Sequence, residues 1–217
     1  MPLALLAFAL LASTDVSLKP TDDVWVYPHA GDPAKDGYLR VWGRDGEAVT
    51  KLIGDANEFS YSLLRFDPSS IPADGKLSKA TLTLTMTAGP NFNEDQAKKN
   101  PLQARPVDGS FTEKGWTYDL LEKFNPVYDP KSVYGTGVPS PWPKDGEETT
   151  IVIDLLKGPG DFKTALAAAR KDGKPLGIAL TSTLDVQANP DVMSIYKVYS
   201  KDAPVEALRP KLSLSFE

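Results

Sequence analysis

The chain contains no cysteine, which removes disulfide staples, thiolate metal sites and a cysteine nucleophile from the chemistry it can use. Histidine occurs once, at His29, so zinc sets of three or four imidazole and thiolate ligands cannot be assembled. A Ser-His-Asp relay would have to recruit that same residue, and no nucleophile motif accompanies Pro28-His29-Ala30. Basic excess is missing as well. Twenty-four Lys and Arg face 29 Asp and Glu, a net charge of -5, and no Lys/Arg run offers a phosphate-backbone footprint, so nucleic acid is not an expected partner. Gly135-Thr136-Gly137 lacks the further glycines and the lysine of a phosphate-cradling loop and reads as a turn. The run Leu3–Ala12 is ten apolar residues long, against the roughly 20 needed to cross a bilayer, and no membrane-spanning segment is expected.

That run has the length of a signal-peptide apolar region but no basic residues before it. Residues 1–14 therefore read either as a truncated signal peptide, which places the protein in the secreted or cell-surface space, or as an N-terminal arm. The remaining residues, 15–217, fit one β-rich domain, because such folds often exceed 200 residues and 41% hydrophobic content supplies one core.

Turn signals are dense. Asp-Gly occurs six times, from Asp36-Gly37 to Asp172-Gly173, and this pair favours tight turns because glycine accepts positive φ while aspartate bonds nearby backbone. Between the turns, Leu77–Thr87 alternates Ala80, Leu82, Leu84 and Met86 with Thr81, Thr83, Thr85 and Thr87, the period of a half-buried strand. Phe59–Phe66, Ile151–Asp154, Gly177–Thr181, Val192–Tyr199 and Leu212–Phe216 read alike, with Val24–Tyr27, Tyr38–Val41 and Leu102–Arg105 as weaker members. One helix is predicted over Asp161–Lys171, with Phe162, Ala165, Leu166 and Ala169 on one stripe and Asp161 and Gly173 as its caps. Residues 88–101 and 125–148 read as polar or proline-rich excursions. The expected fold is all-β, a jelly-roll-like antiparallel sandwich with one short helix.

The second excursion motivates a binding reading. It carries Pro126, Pro130, Pro139, Pro141 and Pro143 around Tyr128, Tyr134 and Trp142. Prolines hold neighbouring rings in place and lower the ordering cost of binding, and sugar rings stack on aromatic faces. With Arg105 and Lys144 as local cations, these residues form the candidate ligand site for a polysaccharide, neutral or acidic. Carboxylates in turns suggest a structural calcium ion, with Asp22, Asp23 and Asp154 as candidate ligands, because calcium takes six to eight oxygens. No EF-hand pattern is present. A catalytic pair among Glu113, Asp119, Asp154 and Asp185 would instead make a polysaccharide-active enzyme.

Ser62-Leu63-Leu64-Arg65-Phe66-Asp67-Pro68-Ser69-Ser70-Ile71-Pro72, followed by Leu77 to Leu84, resembles the signature of DNRLRE-type domains, which are similar to family 96 carbohydrate-binding modules. Phe111-Thr112-Glu113 with Trp116-Thr117, Ile153-Asp154-Leu155, Gly177 to Leu180, Tyr199 to Asp202 and Arg209-Pro210-Lys211-Leu212 continue the resemblance in order. It implies an exported jelly-roll-like sandwich, often joined to other domains, with acidic glycans among its ligands. It assigns Arg65, Asp67 and Glu113 to structural motifs and no sugar contact to a numbered position. Pro68, Leu155-Leu156 and Asp202 depart from its usual pattern. Three functions thus stand: a noncatalytic extracellular polysaccharide-binding module, a structural or assembly domain of a cell-surface or matrix protein, and a polysaccharide-active enzyme.

Overall fold

The computed structural model describes residues 13–27, 30–43, 59–72, 75–89, 92–184 and 195–217. The expectations placed on Leu3–Ala12, His29 and Asp185 lie outside the described residues. The described chain is all-β with minor helical content. Its strands are β1 (Thr14–Leu18), β2 (Asp22–Val26), β3 (Tyr38–Gly43), β4 (Phe59–Phe66), β5 (Leu77–Thr87), β6 (Leu102–Val107), β7 (Gly135–Gly137), β8 (Glu148–Asp154), β9 (Leu176–Thr181), β10 (Tyr196–Tyr199) and β11 (Lys211–Phe216). They form one large antiparallel sheet in the order β1-β11-β5-β10-β3-β4-β9-β6-β7, with β2 added to β4 and β8 to β5.

The alternating pattern of β5 works as the sequence predicts. Leu77, Ala80, Leu82, Leu84 and Met86 are buried while the intervening threonines are half-exposed. β8 runs beside it in register, Leu82 opposite Ile153 and Leu84 opposite Ile151, so branched apolar side chains stack across the pair. β4 and β9 are buried on both faces. One face of β4, with Leu64 and Phe66, joins the main core with β5, β8 and β11. The other, with Phe59, Tyr61 and Leu63, joins Val24, Val26 and Ala179 under a lid made of Phe111, Leu121 and Phe124. A segment without regular strands therefore covers an apolar sheet face, as the hydrophobic effect requires of it.

Among the described residues two α-helices are present where one was expected. α1 (Glu94–Lys99) lies in the first polar excursion and begins with a capping box, in which Asn93 and Gln96 each bond the other's backbone amide. α2 (Phe162–Asp172) is the predicted helix, capped by Asp161 and closed by Gly173 at φ 61, and it buries Phe162, Leu166 and Ala169. The proline-rich excursion is not all loop. β7 pairs with β6, Leu102 opposite Gly137, and Pro139 bridges to Ile151 of β8. Gly158-Pro159-Gly160 is strapped onto the backbone before β7 by bonds from the Gly158 amide to the Tyr134 carbonyl, 2.7 Å, and from the Gly160 amide to the Val133 carbonyl, 2.8 Å. A Cβ at Gly158 would overlap the Val133 and Tyr134 carbonyls, and one at Gly160 the Ser132 carbonyl, so only glycine permits the approach.

Candidate binding cleft

The sheet face opposite the main core is covered only in part. Gln103 and Arg105 of β6, Thr136 of β7 and Thr181 of β9 share that face by register, Gln103 lying opposite both Thr136 and Thr181. Where the covering segment ends, at Tyr128, a cleft of about 390 Å³ opens. Its floor is Gln103, Arg105, Thr136 and Thr181, continued by Ser182 and Thr183; its walls are Tyr128, Pro130, Val133 and Pro159. Hydroxyl and amide groups thus face one way into a channel with apolar sides, the composition of a small polar-ligand site.

Arg105 is the central group. It is 6% exposed, and its guanidinium has no carboxylate within ion-pair reach among the described residues. Neutral oxygens hold it instead. Nε donates to Thr181 Oγ1 at 3.1 Å, Nη2 to Gln103 Oε1 at 2.8 Å, and Nη1 to the carbonyls of Val127 and Asp129 at 3.1 and 3.0 Å. The same cation lies 5.6 Å from the centre of the Tyr128 ring. Burial holds its pKa below the ordinary arginine value, although the group stays charged. A buried positive charge satisfied only by dipoles leaves the site attractive to an anion.

Of the ligand residues expected from sequence, Arg105 and Tyr128 come together here. Burial pushes the Tyr128 phenol well above its usual range, marking a ring that is part wall and part core. Tyr134 is 4% exposed and packs edge-on against Phe162 at 5.2 Å, so its ring is a core element rather than a stacking platform. Burial raises its phenol to about 12. Trp142 is half-buried, packed edge-on against Phe92, and does not line the cleft; Lys144 is exposed and lies outside it too. Gln103, Thr181, Ser182 and Thr183 were not expected. No local pattern marks them, because strand pairing alone assembles them from distant positions.

The expected metal residues separate. Asp22 pairs with Arg65 and accepts the Glu113 amide at 3.2 Å; burial pushes its carboxyl up, but these bonds outweigh it and hold the pKa below the ordinary value. Asp154 accepts the Leu156 amide at the end of β8 and, among the described residues, belongs to no acidic group. Asp23 does: its carboxylate, with those of half-buried Glu113 and exposed Asp202, offers oxygens within 4.8 Å of one another, an Asp/Glu/Asp cluster compatible with a metal ion. The Lys201 ammonium already lies among them, 2.9 Å from both Glu113 Oε1 and Asp202 Oδ1. The Asp23 amide donates to Glu113 at 2.7 Å and its carboxylate accepts the Lys201 amide at 2.6 Å. Burial raises the Asp23 carboxyl to about 8 and, less strongly, that of Glu113. Arg65 and Glu113 therefore tie β2 to neighbouring loops, while Asp67 caps the turn Pro68–Ser70 through the Ser69 amide at 2.9 Å. Arg65 bonds Asp22, not its strand neighbour Asp67.

No protein-family model matches the chain, and no curated protein matches it. No helix among the described residues is long and apolar enough to cross a membrane.

Proposed function

We propose that the chain is a noncatalytic polysaccharide-binding module, built on a jelly-roll-like β-sandwich and working outside the cell or at its surface. The observation that carries this reading is the cleft around Arg105, where a buried guanidinium without a carboxylate partner among the described residues is ringed by hydroxyl and amide groups. A uronic acid unit would place its carboxylate toward Arg105, its hydroxyls toward Gln103, Thr136 and Thr183, and its C-H face along Tyr128 and Pro159. The resemblance to DNRLRE-type domains supports the same class of ligand. Affinity electrophoresis against neutral and acidic polysaccharides at two salt concentrations tests it. Retardation by acidic chains that weakens as salt rises is expected; indifference to the whole panel would reject the reading.

A structural calcium ion belongs to the same proposal, placed at Asp23, Glu113 and Asp202, where it competes with the Lys201 ammonium for the carboxylates. One observation favours the alternative of a structural or assembly domain. Among the described residues β1 has β11 as its only strand partner, which leaves one edge of the sheet open to strand addition. Sedimentation showing self-association through that edge, without glycan binding, would favour it.

A further inference from the structure

Away from the Arg105 cleft, on the threonine face of β5, a groove of about 560 Å³ is lined by Lys19, Thr83, Thr85, Glu206, Arg209 and Lys211. Its floor is strand and its wall is the connection from β10 to β11, whose turn Glu206–Leu208 stands beside the sheet. Three cations meet one carboxylate there, although the chain as a whole is acidic. Lys19 is paired with Glu206. The other two cations are not so committed. Arg209 Nε donates to the Ala203 carbonyl at 2.8 Å, which fixes the base of the guanidinium, and its charge acts on the Glu206 carboxylate without an ion pair; neither its terminal nitrogens nor Lys211 Nζ has a hydrogen-bond or ion-pair partner among the described residues. The Thr83 and Thr85 hydroxyls have none either.

We propose that this groove is a second binding site, specific for a tetrahedral oxyanion, a sulfate or phosphate ester carried on a ligand. The donors come from two directions, hydroxyls from the strand floor and cations from the adjoining wall and strand end. A tetrahedral group presents oxygens in three dimensions to such a set, whereas a planar carboxylate presents two in one plane. The Arg209 fork takes two oxygens, Lys211 supplies a point charge, and the threonine hydroxyls donate to the rest.

Titration of the full chain with inorganic sulfate, inorganic phosphate and acetate, followed by backbone and methyl NMR, tests the site. Saturable shifts at Thr83 and Thr85 with sulfate or phosphate, and weaker ones with acetate, are expected. The sulfate and phosphate arms then decide which ester is preferred. Lys211→Glu, at an exposed position, should weaken sulfate about tenfold or more without moving the melting temperature. Arg209→Gln should do the same, and Thr136→Glu in the other cleft should leave the sulfate shifts at Thr83 and Thr85 unchanged. Shifts that never saturate, acetate bound as tightly as sulfate, or full affinity in both Lys211→Glu and Arg209→Gln would overturn the proposal.

Discussion

Replacing Arg105 with Met keeps an unbranched apolar stem of similar length and deletes the guanidinium. The wild-type group makes bonds to Thr181, Gln103, Val127, Asp129 and Ser132, so a naive sum at about 1.5–3 kcal/mol each would be very large. Two structural facts reduce it. The Ser132 hydroxyl, with its one proton, can serve the Val127 carbonyl at 2.7 Å while the Ser132 amide serves the Asp129 carbonyl at 2.8 Å, so both acceptors keep a donor. Burying the wild-type charge is itself costly, and methionine is relieved of that cost. What remains orphaned is Gln103 Oε1, left with the Thr181 hydroxyl at 3.5 Å, and the tie between β6 and residues 127–132. The expected loss is about 2 kcal/mol, which for a domain of this size lowers Tm by roughly 4–8 °C. Urea unfolding followed by tryptophan fluorescence gives the free energy, and hydrogen exchange at residues 127–132 gives its location. Unfolding within about 0.5 kcal/mol of wild type, with unchanged exchange in that segment, would refute the claim that Arg105 holds the cleft wall.

Asp23 holds its proton in the folded chain up to about pH 8 but loses it near 3.8 when unfolded, so its contribution to stability is full below 3.8 and is lost as pH rises through 8. Asp23→Asn should therefore gain stability over wild type between pH 5 and 9, by at most roughly 6 kcal/mol; parallel pH curves from urea melts would contradict this. A Cβ on Gly135 would overlap the Asp154 carbonyl oxygen, so Gly135→Ala should cost about 1–3 kcal/mol, whereas Gly31→Ala, with open space around it, should be close to neutral. Equal melting temperatures for the two variants would show that β7 and β8 are not so closely packed. Lys201→Met frees Glu113 and Asp202, so calcium should raise its Tm above that in chelator by more than it does for wild type. An identical calcium response in both proteins would remove the ammonium from the cluster.

The strands with strict alternation were legible from sequence because their two faces meet different surroundings. β4 and β5 carry the predicted limits, and the caps Asp161 and Gly173 fix α2. β7 was not legible. Gly135-Thr136-Gly137 has no periodicity, and its pairing depends on small residues that let β8 approach, a tertiary fact. α1 was missed inside a polar stretch, although Asn93 and Gln96 carried a capping-box signal in plain view. Near the candidate site, aromatic content misled. Tyr134 and Trp142 stand among prolines as expected, yet one fills the core against Phe162 and the other packs on Phe92, because a proline-rich segment can itself supply apolar cover. Asp23, Glu113 and Asp202 lie 90 or so residues apart in sequence, and no local spacing announces that a backbone hydrogen bond and Lys201 draw them together.

Calorimetric titration of an oligouronate into wild type and Thr136→Glu tests the central claim most directly. Thr136 is exposed in the cleft and makes no side-chain hydrogen bond among the described residues, so the variant adds a negative charge beside Arg105 without removing a contact there. Saturable binding by wild type, reduced at least tenfold in Thr136→Glu at an unchanged Tm and retained in Trp142→Ala, is the predicted result. Equal affinity in wild type and Thr136→Glu, or binding lost only with Trp142, would contradict it.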